Sequence, residues 1–304
     1  MDIGMVGLGK MGGNMAERLR RGGHTVVGYA RNPEVRDVGS LAELVEKLPS
    51  PKVVWVMVPA GDPTRQTVAE LRDLLGEGDV VVDGGNSRWT EDQTHSTALA
   101  ERGVGFVDCG VSGGVWGLDN GYALMCGGSA DDVAKVQPAF DTLKPDGQFG
   151  FVHAGRVGAG HFSKMVHNGI EYGQMQAYAE GWELLEKAEM VDNVVEVYRS
   201  WRKGTVIRSW LLDLLVAALD EDTHLDEIAG YAEDSGEGRW TVEAGIEHGV
   251  AMPAITSALF ARFVSQQDDS PAMKAVAAMR NQFGGHAVRA GGSEQTTPSA
   301  DVEP

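Results

Sequence analysis

The sequence predicts an α/β doubly wound N-terminal domain followed by an all-α C-terminal domain. Short apolar runs alternate with helical spacing up to about residue 157, the pattern of a mainly parallel sheet. The first of these runs leads into a glycine-rich turn and then a helix. Beyond residue 158 the apolar spacing is helical throughout.

Residues Asp2 to Gly7 read as a strand, and Gly7-Leu8-Gly9-Lys10-Met11-Gly12 opens a helix ending near Arg21. Thr25 to Ala30 is the second strand. Strand, GxGxxG, helix and strand in about 30 residues is the setting of a Rossmann-type dinucleotide turn. Gly7 permits the tight turn, Gly9 lets the backbone approach a pyrophosphate, and Gly12 allows close helix packing. The pyrophosphate then sits on the helix N-terminus. The second strand ends in Tyr29-Ala30-Arg31-Asn32-Pro33, with Ala30 where an NAD site places a carboxylate. Arg31 and Asn32 suit a ribose 2′-phosphate, which leans the reading toward NADP and leaves NAD open. A plain surface arginine is the bland alternative.

Further strands are expected at Val53–Val58, Asp79–Asp83, Gly105–Cys109, Tyr122–Met125 and Phe149–His153, with a helix over Ala130–Leu143. In such sheets ligands bind beyond the carboxyl ends of the strands. Those ends carry Pro59-Ala60-Gly61, Asp83-Gly84-Gly85-Asn86-Ser87 and Ser112-Gly113-Gly114. Each alone is a turn more often than a site; three at one crevice point to a site.

The stretch Gly158–Gln176 reads as a helix with Lys164, His167, Asn168 and Glu171 on one face. Lys164 and Glu171 are then about 10 Å apart along the axis, the length of a small sugar acid. A base and an acid at that spacing, with an amide and an imidazole between, make a candidate reaction centre. The alternative is an ordinary solvated helix face. Met165, Val166 and Ile170 are expected to anchor this helix in a core. Helical spacing recurs at Asn193–Lys203, Ile207–Leu219, Leu225–Glu233, Trp240–His248, Ala254–Gln267 and Ala272–Gln282, with Pro253 and Pro271 at helix starts. The expected divisions are residues 1–157, 158–286 and a disordered tail, 287–304.

Acidic residues outnumber basic ones 44 to 26, a formal net charge of −18. Such a surface repels nucleic acid and anionic membranes. It is similar to that of salt-adapted, haloarchaeal proteins, although an ordinary acidic enzyme fits too. No apolar run of about 18 residues offers a membrane span. MDIGMVGLG has no basic leader, so a cytoplasmic protein is expected. Cys109 and Cys126 lie in no metal-ligand spacing and read as buried, inert thiols; no metal is expected.

The motifs GLGKMG, VPAG, DGGNS, GVSGG, GAGHFSKMVHNGIEYG and RNQFGGH, in that order, resemble the short form of decarboxylating 6-phosphogluconate dehydrogenase over about residues 1–286. The resemblance implies that Lys164 takes the 3-hydroxyl proton as hydride leaves for NADP. It then implies loss of CO2, with Lys164 returning the proton and Glu171 protonating C1 of the enediol to give ribulose 5-phosphate. It implies that Asn86, Ser112, Gly113, Gly114, His167 and Asn168 hold the sugar acid, and that Tyr172 and Arg262 bind its phosphate. Arg280 and His286 would complete the site of a partner subunit in a homodimer or homotetramer. Gly7, Gly9, Met11, Gly12, Arg31, Asn32, Val58, Pro59 and Asn86 would hold the cofactor.

Two places depart from the long form of that family. Val115-Trp116 follows Gly113-Gly114 where the long form has a glutamate. Ser235 and Glu237 fall where it has a phosphate-binding lysine and threonine. Glu237 would repel a phosphate, which leaves compensation to Arg239 or to a partner's arginine. Two other readings compete: a β-hydroxyacid dehydrogenase similar to 3-hydroxyisobutyrate dehydrogenase, which does not decarboxylate, and a non-catalytic NADP-binding protein. A simple oxidation needs no second acid such as Glu171, and a sensor needs neither Lys164 nor Glu171.

Overall fold

The structure, a computed structural model, describes residues 1–285 and 287–289. His286 and residues 290–304 lie outside the described residues, and with them the role expected for His286 and most of the expected tail.

The chain starts with β1 (Asp2–Val6), α1 (Lys10–Arg21), β2 (Thr25–Tyr29), α2 (Leu41–Lys47) and β3 (Val53–Val56). It continues through α3 (Asp62–Leu74), β4 (Val80–Asp83), α4 (Trp89–Ala100) and β5 (Gly105–Ser112). A short α5 (Gly117–Asn120), β6 (Ala123–Gly128), α6 (Ala130–Leu143) and β7 (Phe151–Gly155) complete the sheet layer. The seven strands run in the order β2-β1-β3-β4-β5-β6-β7. All neighbours are parallel except β5 and β6.

Helices cover both faces of a parallel sheet, so its central strands are continuous apolar runs. Every residue of β3 (VVWV) and β4 (VVVD) is buried. On one face Met5, Leu19, Trp55 and Phe140 form the core, with Trp55 meeting Phe140 edge to face at 5.6 Å. On the other, Leu44, Leu71, Val81 and Leu99 interdigitate. Strand β5 runs three residues past its expected end at Cys109. Antiparallel β6 continues the ladder there, pairing Gly110 with Met125 and Ser112 with Ala123. Cys109 and Cys126 face each other across this pair as buried free thiols, and burial pushes both above the ordinary thiol range.

Beyond the sheet come α7 (Ala159–Glu186), α8 (Val194–Trp201), α9 (Trp210–Glu221), α10 (Glu237–Glu247), α11 (Pro253–Ser265) and α12 (Pro271–Gly284). Pro253 and Pro271 occupy first-turn positions, where a missing N–H costs nothing. The helix expected over Leu225–Glu233 is absent. Leu225 takes a φ of 55°, and the Asp222 side chain accepts from Glu227 N, so local turns replace the helical ladder. A second correction concerns α7. Met165 is buried as expected, but Val166 and Ile170 line an open cleft, and Ile170 is half exposed. Each precedes a polar cleft residue by one position, so both fall on the shoulder of the same face.

The turn after β1 has little slack. Gly7 sits at φ +96°, and a β-carbon on it would fall 2.3 Å from Met57 O. One on Gly12 would fall 1.9 Å from Gly7 O, which is how α1 packs directly on the turn. Gly7→Ala should therefore destabilise the protein by about 1–3 kcal/mol and weaken dinucleotide binding. Urea denaturation and a binding titration of the same variant check both.

Candidate active site

A cleft of about 1830 Å³ opens beyond the carboxyl ends of the parallel strands. It lies where the chain switches direction, since β1 pairs with β2 on one side and β3 on the other. Single-ligand pockets are roughly 300–1,000 Å³. This cleft therefore has room for two ligands, and its walls fall into two halves.

One half is built from strand ends. Gly7, Gly9, Met11 and Gly12 line it from the first turn, and Val58 and Pro59 from the end of β3. Gly9 is the N-cap of α1 and has nothing within 4 Å of where a β-carbon would stand. No side chain caps that helix and its first turn contains no acid, so its N-terminal dipole faces the cleft unopposed. These residues fit a dinucleotide pyrophosphate. Arg31 and Asn32, just past β2, line the same half. Arg31 has no carboxylate partner among the described residues. Asp37 is turned away, accepting from Gly28 N and Arg20.

The other half is the face of α7. It packs on β5 and β6 through small residues, which sets the height of its side chains over the crevice. A β-carbon on Gly160 would fall 2.4 Å from Met125 O, and one on Gly110 would fall 2.3 Å from Lys164 Cβ. Lys164, His167, Asn168 and Glu171 all line the cleft, opposite Asn86, Ser112, Gly113 and Gly114. Lys164 Nζ donates to Asn168 Oδ1 at 2.6 Å, and His167 Nδ1 lies 3.0 Å from the same oxygen. With Oδ1 as the shared acceptor, the imidazole proton sits on Nδ1, leaving Nε2 to face Ser112 Oγ at 3.4 Å. Glu171 Oε2 is 3.8 Å from His167 Nδ1. Burial pushes the Lys164 ammonium below the ordinary lysine range, against the pull of Glu171 and Glu237. The arrangement puts an amine with lowered proton affinity and a carboxyl group at two points along one bound molecule.

Beneath the site, buried carboxylates anchor α7 to the sheet. Asp108 Oδ1 accepts from Gly158 N at 2.7 Å and Oδ2 from His161 N at 2.9 Å, satisfying the start of the helix. His161 Nδ1 lies 2.9 Å from both oxygens of Asp92 on α4, with both side chains buried. Asp83, at the end of β4, accepts from Gly85 N and Ser87 Oγ and so shapes the turn that presents Asn86. The sequence shows no metal-ligand spacing, yet Asp83, Asp92 and His161 converge within 4.8 Å. Their hydrogen bonds make this an ion-paired network around His161. Burial disfavours charge on His161, but Asp92, Asp83 and Asp108 override it and raise its pKa to about 10. Burial also raises Asp92, to about 7, which by itself would put the proton on the carboxyl. Three carboxylates facing one imidazole decide for His161 as the charged partner.

Tyr172 and Arg262, expected at the phosphate, are not among the residues lining the cleft, nor are Arg239 and Arg280. The guanidinium of Arg262 stacks 3.4 Å over the Tyr172 ring and donates to Glu233 O, so the two satisfy each other beside the cleft. Arg280 lies on α12. Arg239, the expected compensating cation, pairs with Asp234 and covers Phe263. Ser235 and Glu237 do line the cleft, as do Val115 and Trp116 at its mouth. Sequence reading assigned no role to Gly110, Asp92, Asp108 or His161. His161 lies three residues before Lys164, and that spacing was the available signal; the partners on α4 and β5 become visible only in the fold.

A glycine-lined crevice facing a helix with paired base and acid defines, as a class, a dinucleotide-dependent oxidoreductase. Residues 2–146 match the NAD binding domain of 6-phosphogluconate dehydrogenase, and residues 160–297 match its C-terminal domain. The chain is 40% identical to YqeC of Bacillus subtilis over 95% of this chain and 99% of that one. It is 38% identical to the NAD(+)-dependent, decarboxylating 6-phosphogluconate dehydrogenase of Haloferax volcanii, over 95% and 98% respectively. Among solved structures, Plasmodium falciparum 6-phosphogluconate dehydrogenase, studied with NADP+ and with 6-phosphogluconate, superposes with a TM-score of 0.80 at 26% identity. That match covers 97% of this chain and 67% of the Plasmodium one. The chain belongs to the 6-phosphogluconate dehydrogenase family.

Removing Asp92 would leave the His161 imidazole buried without its partner. Asp92→Ala should cost about 3–5 kcal/mol of unfolding free energy. The folded pKa of His161, about 10, lies above the ordinary histidine value of 6.5, so its contribution is complete below about 6.5. It fades as pH rises through about 10. Urea denaturation between pH 6 and 10 should show the native protein losing stability with pH more steeply than the variant.

Proposed function

We propose that this chain oxidises and decarboxylates 6-phospho-D-gluconate to D-ribulose 5-phosphate and CO2, with NAD(P) as oxidant. The observation that carries the reading is the pairing of a desolvated Lys164 with Glu171 on the cleft face of α7, across from a dinucleotide-type turn. Lys164 takes the C3 hydroxyl proton, which an amine manages near neutrality only when burial lowers its pKa. The nicotinamide, when bound, accepts a hydride from C3. The product is a β-keto acid, so the bond to the carboxylate can break with its electron pair passing toward the C3 oxygen. Lys164, now an ammonium, returns its proton to that oxygen, and CO2 departs. Glu171 then protonates the carbon that carried the carboxylate while the neutral Lys164 takes back the enol proton, leaving the ketone. Asn86, Ser112, Gly113, Gly114, His167 and Asn168 hold the carboxylate and hydroxyls. Gly7, Gly9, Met11, Gly12, Val58 and Pro59 hold the dinucleotide, and Arg31 with Asn32 favours NADP through the 2′-phosphate.

The working form is a homo-oligomer in which a second copy's Arg280 and His286 close the phosphate end. Support comes from the position of Arg280 on α12, outside the cleft lining of its own chain. Tyr172 and Arg262 rearrange toward the phosphate only if their mutual stacking opens. The setting is cytoplasmic, in keeping with two free buried thiols and no described helix long and apolar enough to cross a membrane.

Absorbance at 340 nm and CO2 release, followed together with 6-phosphogluconate in high salt, test the reaction. One CO2 per reduced dinucleotide is expected; reduction without CO2 would move the chain to the non-decarboxylating β-hydroxyacid dehydrogenases. Lys164→Ala should lower kcat by about 10²–10⁴ while dinucleotide binding persists. Because protonated Lys164 cannot act as base, kcat/KM of the native enzyme should fall as pH drops through a lysine pKa below the ordinary range. Arg31→Ala should cut the preference for NADP over NAD by about tenfold, the scale of one charge-assisted hydrogen bond.

A further inference from the structure

Glu237 opens α10, and its carboxylate is buried, with 3% of the residue exposed, yet it lines the cleft. One oxygen is accounted for: Oε2 accepts from Ser235 Oγ at 2.6 Å. Ser235 is in turn held by Tyr172, whose hydroxyl accepts from Ser235 N at 3.2 Å. The other oxygen, Oε1, is buried and has no hydrogen-bond partner. An acid in the first turn suits the helix dipole and explains why the residue is tolerated. It does not explain an acceptor removed from water and left without a donor, which ordinarily costs free energy. Thr241 Oγ1 shares its one proton between the backbone carbonyls of Glu237 and Met165, at 2.7 and 2.8 Å. Helix α10 is thereby fixed against α7 at the turn that bears Lys164.

We propose that Glu237 is a specificity-determining residue, whose Oε1 accepts a hydrogen bond from a hydroxyl of the sugar acid beyond the reacting carbon. The assignment rests on the proposed function and adds a reason for preferring a polyhydroxy acid. A bound chain with a second hydroxyl supplies the missing donor; a hydroxy acid with a single hydroxyl has already committed its own to Lys164 and leaves Oε1 unsatisfied. A site built around such an acceptor rejects the analogue that lacks the donor. The same carboxylate acts on the base. Among the described groups, Glu171 on α7 and Glu237 on α10 are the charges that hold the Lys164 proton, while burial against β5 works to release it.

The test is steady-state kinetics of the native chain, Glu237→Gln and Glu237→Ala, each with 6-phosphogluconate and with 3-hydroxyisobutyrate, over a range of pH. Glu237→Ala should raise KM for 6-phosphogluconate by about tenfold and Glu237→Gln, whose amide oxygen still accepts, by less, and each should narrow the preference over the single-hydroxyl acid by a similar factor. Loss of the carboxylate charge should also move the acid limb of kcat/KM to lower pH, a shift that a purely structural first-turn acid would not produce through helix stability. Melting curves of each variant separate folding loss from binding loss. A native chain that turns over 6-phosphogluconate, with both folded variants keeping its KM and pH profile, overturns the assignment of Glu237 alone. A folded native chain that leaves 6-phosphogluconate untouched overturns the proposed function and this assignment with it.

Discussion

The site depends on how α7 is fastened to the sheet. Its first-turn N–H groups point into the protein, where water cannot satisfy them, and Asp108 takes two of them. The charge thus buried is balanced by His161 on the same helix, which also engages Asp92 from α4. One helix start is therefore tied to two neighbouring elements by charge-assisted bonds, which tolerate little displacement. Lys164 sits less than one helical turn past this anchor. Its distance from the crevice is set by Gly110 and Gly160, which let two backbones approach closer than any side chain would allow. Rigidity at the base is what makes the position of the amine reproducible.

Placement and reactivity have a common cause. Close packing of α7 on β5 is what buries Lys164, and burial is the largest influence lowering its proton affinity. Glu171 and Glu237 oppose that effect, so the amine sits between a force that strips its proton and two that restore it. A group that must act as base in one step and acid in the next needs such a balance. Asn168 accepts from Nζ and so holds the amine in line without adding charge.

The architecture was legible because it rests on local signals: GxGxxG between two apolar runs, valine-rich strands, and prolines at helix starts. The stripe of Lys164, His167, Asn168 and Glu171 followed from helical geometry alone. Differences came where side-chain contacts outside the helical pattern decide. Leu225–Glu233 has helical spacing, but an Asp222 side chain competes for its first N–H groups and turns the chain. Val166 and Ile170 are apolar and were expected in a core; they face the cleft because a large ligand site also needs apolar wall. Arg262, expected at the substrate phosphate, lies in this structure over Tyr172, ninety residues away in sequence, a contact no spacing shows. The partners of His161 come from α4 and β5, and no spacing in the sequence announces them.

The acidity of the whole chain bears on the site in a last way. A net charge of −18 repels both ligands of the proposed reaction, a dinucleotide and a sugar acid that carries a carboxylate and a phosphate. Within the cleft the charge is balanced: Lys10, Arg31 and Lys164 line it together with Glu70, Glu171 and Glu237, and the uncapped N-terminus of α1 adds a positive end, while many other cations, such as Arg20, Arg65, Arg199 and Arg239, are tied up in ion pairs with carboxylates. Exposed charges more than a screening length apart cease to act, and that length shrinks from about 10 Å at 0.1 M salt to about 3 Å at 1 M. Buried groups in contact with a ligand are screened much less. Salt therefore removes the long-range repulsion and leaves the short-range contacts of the cleft. A strongly acidic surface and a site for anions are compatible because they act over different distances.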